Sequence, residues 1–334
     1  MGRRRECRGV GRSRQFDCGP MNQADLTANQ QTAMLADRYT QRAGAYEALW
    51  SPIIRPVGER LISRLPLSST TRSVVDIGTG AGALLPTIKR AAPSAVIVGV
   101  DRSPGMLRLA KDKHSGPLAL MDVQNLALPA NGFQVAVVAF VLFHLPYPEQ
   151  CLAEVSRVLQ PRGALGTVTW GSENMAPANA IWDDELQAAG AQMLELPAVD
   201  NRACCDTAQK MTALLGKAGF VSIKVWSESI EHRWRPDDHF DYQVRSSSRL
   251  RLLSLSEKDR EACLGRIRRR LSSADGDQYV YRGEVFMATA FAKSPRTRRL
   301  SITSIPGAPT RLDSAIQRRR STSSPITRAK RLLA

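Results

Sequence analysis

The reading turns on VVDIGTGAGALL, residues 74–85. A short β-branched run ends in Asp76 and Ile77, and Gly78-Thr79-Gly80-Ala81-Gly82 leads into a helical pattern. A strand that turns through glycines into a helix lets backbone N–H groups and a helix N-terminus approach a ligand closely. Three ligand types satisfy that arrangement: the pyrophosphate of a dinucleotide, the phosphates of a nucleoside triphosphate, or a group with no phosphate. No Lys-Ser/Thr follows the glycines, which excludes a Walker-type loop. Gly78, Gly80 and Ala83 do satisfy the looser G-x-G-x-x-A dinucleotide fingerprint. Asp76 weighs against it, because a carboxylate there repels a pyrophosphate and attracts a cationic group, directly or through water. Its other available role is to cap the turn through backbone N–H groups.

Two further acids extend the site. Asp101 ends AVIVGVD, nineteen residues past Gly82, where a carboxylate at a strand tip can accept both hydroxyls of a ribose. Ser103 already serves as N-cap of the helix that follows. Asp122, in LALMDVQNLALP, stands where an acid can receive an adenine amino group while the Val123 N–H donates to the ring; its alternative is that of a solvated loop acid. Asp101 serves NAD and S-adenosyl-L-methionine equally. With Asp76 the balance moves to the latter, which carries an ammonium and a sulfonium and no phosphate.

Around these residues strand and helix patterns alternate. RSVVDIG, AVIVGVD, PLALMDV, FQVAVVAFVLF and ALGTVTW read as strands. Between them lie ALLPTIKRAA, bent early by Pro86, a helix opened by Ser103-Pro104, and PEQCLAEVSRVL, closed by Pro161-Arg162-Gly163. This rhythm specifies an α/β fold: a doubly wound, Rossmann-like parallel sheet with helices on both faces. Residues 22–65 read as a helical cap, punctuated by Pro52, Pro56 and Pro66, and 70–170 as the cofactor-binding core. Residues 171–293 supply the remaining strands, FVSIKVWSES and VFMATAFAK, with insertions at 171–203 and 229–282 over the carboxyl edge of the sheet.

The stretches VVDIGTGAG (74–82), VGVDRSPGMLRLA (98–110), MDVQNLALP (121–129), FQVAVVAFVLFHLPYP (133–148) and EVSRVLQPRGAL (154–165) together resemble a class I S-adenosylmethionine-dependent methyltransferase, of the broad group that includes the ubiquinone/menaquinone-biosynthesis C-methyltransferases. The resemblance implies a seven-stranded sheet whose last strand, here VFMATAFAK, is antiparallel. It also implies contacts to S-adenosyl-L-methionine from Asp76, Gly78, Thr79, Gly80, Gly82, Asp101, Arg102, Met106, Asp122, Val123 and Phe140. The leading helical segment of such proteins folds over the cofactor; it carries Tyr39, Tyr46 and Trp50, of which Tyr46 could bond the methionine carboxylate and all three could simply pack. The chain departs from the family pattern at Phe133-Gln134 for Phe-Asp, at Gln160-Pro161-Arg162-Gly163 for Lys-Pro-Gly-Gly, and at Tyr147 for Asp. None of these removes a cofactor contact, so they bear on the substrate.

Methyl transfer from a sulfonium is an in-line displacement helped chiefly by positioning. His144 in VLFHL is the candidate general base, with shaping of the loop as its alternative role. Trp170, Trp182 and Asp183 are acceptor-pocket candidates by position alone. After strand four the chain reads Ala139-Phe140-Val141-Leu142, unlike the Asn-Pro-Pro-Tyr loop of many amino-methylating enzymes. That favours a small-molecule acceptor at oxygen, carbon or a small amine. The alternatives are an RNA-associated methyltransferase or RNA-binding protein, and an NAD(P)-dependent oxidoreductase.

Charge bears on the RNA alternative. The 334 residues carry +16, but residues 1–20 hold six arginines against two acids, and 294–334 hold ten Lys/Arg against Asp313. Only +3 is left on 21–293. The basicity therefore belongs to two tails, read as solvated, disordered extensions, with nucleic-acid binding through them as the other reading; Met21 could be the true start. The longest apolar run, 135–143, is far short of the roughly 18 residues of a membrane span. Six cysteines without a paired CxxC pattern suggest neither metal nor disulfide, and a cytoplasmic protein is expected. Oligomeric state is left open.

Overall fold

The computed structural model describes residues 27–192 and 200–294; both basic tails lie outside them, except Ser294. Seven strands form one sheet: β1 (Ser73–Ile77), β2 (Val96–Asp101), β3 (Leu118–Leu120), β4 (Phe133–Ala139), β5 (Leu159–Asn174), β6 (Val221–Arg233) and β7 (Val280–Phe291). Their order is β3-β2-β1-β4-β5-β7-β6. The first five run parallel, and β7 lies antiparallel between β5 and β6. The doubly wound sheet with an antiparallel last strand is therefore present. β1 is buried at every residue and β4 nearly so, which is why both read as unbroken apolar runs rather than alternating ones.

The chain winds one way from β1 through β2 to β3 and the other way through β4, so the carboxyl ends of β1 and β4 flank a topological switch point. Open α/β sheets bind ligands at such a crevice. Both ends are shaped by left-handed backbone. Gly78, Gly80 and Gly82 have φ of +72°, +55° and +74°. Phe140 adopts +58°, a conformation that glycine takes without strain and a phenylalanine does not. That turn ends β4 at Ala139 and sends Leu142–His144 into a short 3₁₀ turn, so the fourth strand is shorter than the run 133–143 suggests.

Three prolines act differently from the sequence reading. Pro52 opens α2 (Ser51–Ser63), which follows α1 (Ala28–Ala45) through the π-helical turn Tyr46–Trp50, and Pro56 sits inside that helix. Pro86 stands in the first turn of α3 (Leu85–Ala91), where a missing N–H costs nothing, so it starts the helix instead of bending it. At the Gln160-Pro161-Arg162-Gly163 turn, Arg162 takes φ +64° where the family pattern has glycine, and its N–H bonds the Ala292 carbonyl.

The helical cap is tied down at both ends. Thr27 forms a capping box with Gln30 at the start of α1. Further along, α1 crosses the N-terminus of α4 (Pro104–Lys111), with Thr40 Oγ1 2.8 Å from Ser103 Oγ. Only a glycine fits there: a Cβ on Gly105 would come within 2.7 Å of the Thr40 backbone. The 229–282 insertion packs on the cap as well, Tyr242 stacking on Trp50 at 5.5 Å and Arg42 bonding Ser246. Among the described residues no helix is long and apolar enough to cross a membrane.

Candidate functional site

A cleft opens at the switch point between α1, the glycine loop and the end of β4. Gly78, Gly80, Asp101, Arg102, Met106, Asp122, Val123, Phe140, Tyr46 and His144 line it. A smaller hollow on the other side of the loop shares Tyr46, Gly78, Gly80 and Phe140 with it and adds Asp76, Thr79 and Arg55. Gly82 borders neither. Its missing side chain makes room for Ala110 of α4, 3.0 Å from where a Cβ would stand, so its role is packing.

The loop is stitched to β2: the Gly78 and Thr79 N–H groups both bond the Val100 carbonyl, at 2.8 and 2.9 Å. That leaves the Gly80 N–H free to meet Asp101 Oδ2 at 2.8 Å, while Asp101 Oδ1 accepts the Ser103 N–H at 2.8 Å. Asp101 thus takes part in the turn beside Ser103, which also caps α4 through Met106 N–H. The Arg102 N–H bonds the same carboxylate, so three of its roughly four acceptor positions are engaged by backbone.

Asp76 is 2% exposed and takes the Thr79 hydroxyl at 2.6 Å. Burial pushes its pKa up to about 6, against the pull of the Thr79 bond, and the Asp101 charge pushes the same way. Burial raises Asp101 too, offset by its backbone bonds. Neither carboxylate has a cationic partner among the described residues. Buried Asp76, lining the smaller hollow, and half-buried Asp101, lining the cleft, make the glycine loop between them a place for positive charge.

Asp122 is differently placed. Its Oδ2 accepts from Arg102 Nη1 at 2.9 Å and its Oδ1 from the Gln124 N–H at 3.0 Å. The same Arg102 nitrogen reaches Thr32 Oγ1 at 2.5 Å, so Arg102 locks the start of α1 to the Asp122 loop. At the opposite end His144 Nε2 lies 2.9 Å from Tyr39 Oη, and the rings meet edge to face. Burial lowers the His144 pKa to about 4, with Asp200 opposing and Arg202 and Arg38 adding to the shift. Burial raises Tyr39 to about 12 and Tyr46 well above the usual tyrosine range. At neutral pH the Tyr39–His144 pair is uncharged.

Three acceptor-pocket candidates fare unequally. Trp170 packs behind the cleft lining, 4.8 Å from the Phe140 ring and 6.0 Å from Trp50. Trp182 and Asp183 do not join it: Trp182 is buried against Phe240, and Asp183 pairs with Arg251. They ride on the helix Ala178–Ala188, which the long β5 carries away from the switch point. On the cleft wall from α1, Tyr39 lies on the segment that the resemblance folds over the cofactor, but Thr32, Leu35 and Ala36 were not legible as site residues. Their i, i+3, i+4, i+7 stripe is what a core-facing helix shows as well.

Residues 75–166 match the model of a family described as a methyltransferase domain. A demethylmenaquinone methyltransferase from Chlamydia trachomatis is 38% identical over 103 residues, covering 30% of this chain and 45% of the relative. A ubiquinone/menaquinone biosynthesis C-methyltransferase from Bordetella parapertussis is 35% identical over 113 residues, covering 31% and 44%. A malonyl-acyl-carrier-protein O-methyltransferase from Hahella chejuensis is 30% identical over 152 residues, covering 44% and 53%. The chain thus spans about half the length of the curated relatives it matches. Over the segment they cover, the relatives bear out the resemblance read from the motifs.

Proposed function

We propose that the chain is an S-adenosylmethionine-dependent methyltransferase acting on a small-molecule acceptor at oxygen, carbon or a small amine. The observation that carries this is buried Asp76 with half-buried Asp101, both without a cationic partner among the described residues, on a loop of left-handed glycines. The residues fit the cofactor. Asp76, beside Gly78 and Thr79, would face the charged methionine end, with Tyr46 at its carboxylate. Asp101, at the tip of β2, would accept from the ribose hydroxyls. Asp122 and Val123, with Met106 and Arg102 beside them, would border the adenine. When bound there, S-adenosylmethionine supplies an electrophilic methyl group on sulfur. A pyrophosphate would meet both acids, so a dinucleotide fits poorly.

The chain's own part in the reaction is to position and to manage a proton. Phe140 and Val141 close one wall and help exclude water. His144, neutral at pH 7, can take a proton from the acceptor while Tyr39 fixes its ring. A base with pKa near 4 holds a proton weakly, so it suits an acceptor whose own proton is already acidified. If the acceptor needs no deprotonation, the same pair orients it.

Calorimetric titration of the full chain with S-adenosylhomocysteine tests the reading. Saturable binding is expected, and Asp101→Asn should weaken it by one to two decades, since a bond to a charged group is worth about 1.5–3 kcal/mol. No binding at millimolar ligand, or undiminished binding by the variant, would refute it.

A further inference from the structure

The smaller hollow beside the glycine loop is walled by one face of α2. Ser51, Ile54, Arg55 and Gly58 stand at i, i+3, i+4 and i+7 of that helix, and all four line the hollow. The helix comes close because Gly58 has no side chain: a Cβ there would lie 2.6 Å from Leu84, just past the loop. Ser51 is 4% exposed, and its hydroxyl has no partner among the described residues. It is therefore available to whatever fills the hollow. Asp76, 2% exposed, lines the same hollow; Thr79 donates to its Oδ2, and its Oδ1 has no hydrogen-bond partner among the described residues.

Arg55 stands at the rim, exposed, and makes no hydrogen bond or ion pair among the described residues. An unpaired surface arginine is ordinary; what distinguishes this one is the company it keeps. Glu59, one turn along α2, is placed for an ion pair at i and i+4, yet it accepts the Thr87 hydroxyl of α3 at 3.1 Å instead. The hollow thus combines a buried carboxylate oxygen, a free hydroxyl and a cation at its edge. A lone anion there would be repelled by Asp76, and a lone cation would leave Arg55 unused. A dipolar ligand uses both.

We propose that the smaller hollow is a subsite for an α-amino-acid group, with Arg55 and Ser51 holding its carboxylate and Asp76 facing its ammonium. This rests on the methyltransferase reading above and deepens it, because the amino acid is then the methionine end of the cofactor. Tyr46, Gly78, Gly80 and Phe140 border both hollows, so one ligand can reach from the main cleft into the smaller one. A guanidinium fork meets a carboxylate with two parallel hydrogen bonds, which an ammonium cannot reproduce. The two ends of the cofactor are then read by different elements, the adenosine by the tips of β2 and β3 and the amino acid by α2.

The test titrates the full chain calorimetrically with S-adenosylhomocysteine and with methylthioadenosine, which keeps the adenosine and the sulfur but lacks the amino-acid group. Wild type should bind S-adenosylhomocysteine roughly tenfold or more tightly than methylthioadenosine. Arg55→Gln should weaken S-adenosylhomocysteine roughly tenfold or more while leaving methylthioadenosine within about twofold, which separates loss of the subsite from loss of the fold. Arg55→Lys, with the charge but not the fork, should fall between. Ser51→Ala should weaken S-adenosylhomocysteine alone, by about threefold. Arg108→Gln, at an exposed arginine on α4, should change neither. Undiminished S-adenosylhomocysteine binding by Arg55→Gln, equal losses for the two ligands, or equal affinities in the wild type overturn the inference. Binding of neither ligand by the wild type overturns the methyltransferase reading, and the inference with it.

Discussion

Asp76→Asn should make the ligand-free protein more stable at neutral pH while weakening its cofactor site. Asp76 has its pKa raised from 3.8 to about 6 by burial. The folded state then holds a proton that the unfolded state has already lost, between pH 3.8 and 6, so stability falls as pH rises through that window. At ~1.36 kcal/mol per pKa unit the cost at pH 7 comes to about 3 kcal/mol. Asparagine keeps the shape, and its carbonyl can still accept the Thr79 hydroxyl, so it removes the charge and little else. Urea unfolding of wild type and variant from pH 4 to 7.5, without ligand, reads this out. The variant should gain on the wild type as pH rises, reaching about 3 kcal/mol above pH 6 and levelling off. In the same buffers the wild type should bind S-adenosylmethionine more tightly as pH passes 6, because a cation favours the ionised carboxylate, and the variant should lose that dependence. A stability difference that does not change with pH, or a variant less stable at pH 7, would refute the reasoning.

Two further outcomes follow from the geometry. A Cβ on Gly78 would lie 2.3 Å from Val141 Cγ2 at φ +72°, whereas one on Gly80 meets nothing within 4 Å. Gly78→Ala should therefore cost about 2–5 kcal/mol from backbone strain plus overpacking, and Gly80→Ala only about 1–2 kcal/mol from strain, with melting curves making the comparison. His144 should titrate near pH 4 by NMR and contribute a loss of stability as pH falls from 6.5 to 4, because its charged form is disfavoured by burial. His144→Ala should lower kcat more than it changes S-adenosylhomocysteine affinity, and a His144 midpoint near 6.5 would contradict the buried pair.

Much of the site was legible because its parts are local. Strand, glycine turn and helix start lie within VVDIGTGAGALL, Asp101 ends β2, and Asp122 stands two residues past β3, each after an apolar run that announces its strand. Left-handed backbone at Gly78 and Gly80 is what glycine is for, and a parallel sheet follows from alternating strand and helix patterns, although its order β3-β2-β1-β4 does not. Other readings failed where the reason was not local. Gly82 belongs to the same motif, yet what it makes room for is Ala110 on another helix. Trp182 and Asp183 follow β5 closely in sequence, yet that strand runs to Asn174 and carries them off.

The chain by itself determined the strand-loop-helix cradle, the acids at or just past the ends of three strands and the concentration of positive charge in its tails, since residue type and spacing along one segment settle each. Only the tertiary structure decided that Tyr39 meets His144 across 105 residues and that Asp76 is buried against Thr79, with no cationic partner among the described residues. Burial and partnership depend on what other elements bring to the same place, and a helix stripe that lines a cleft is spelled no differently from one that fills a core.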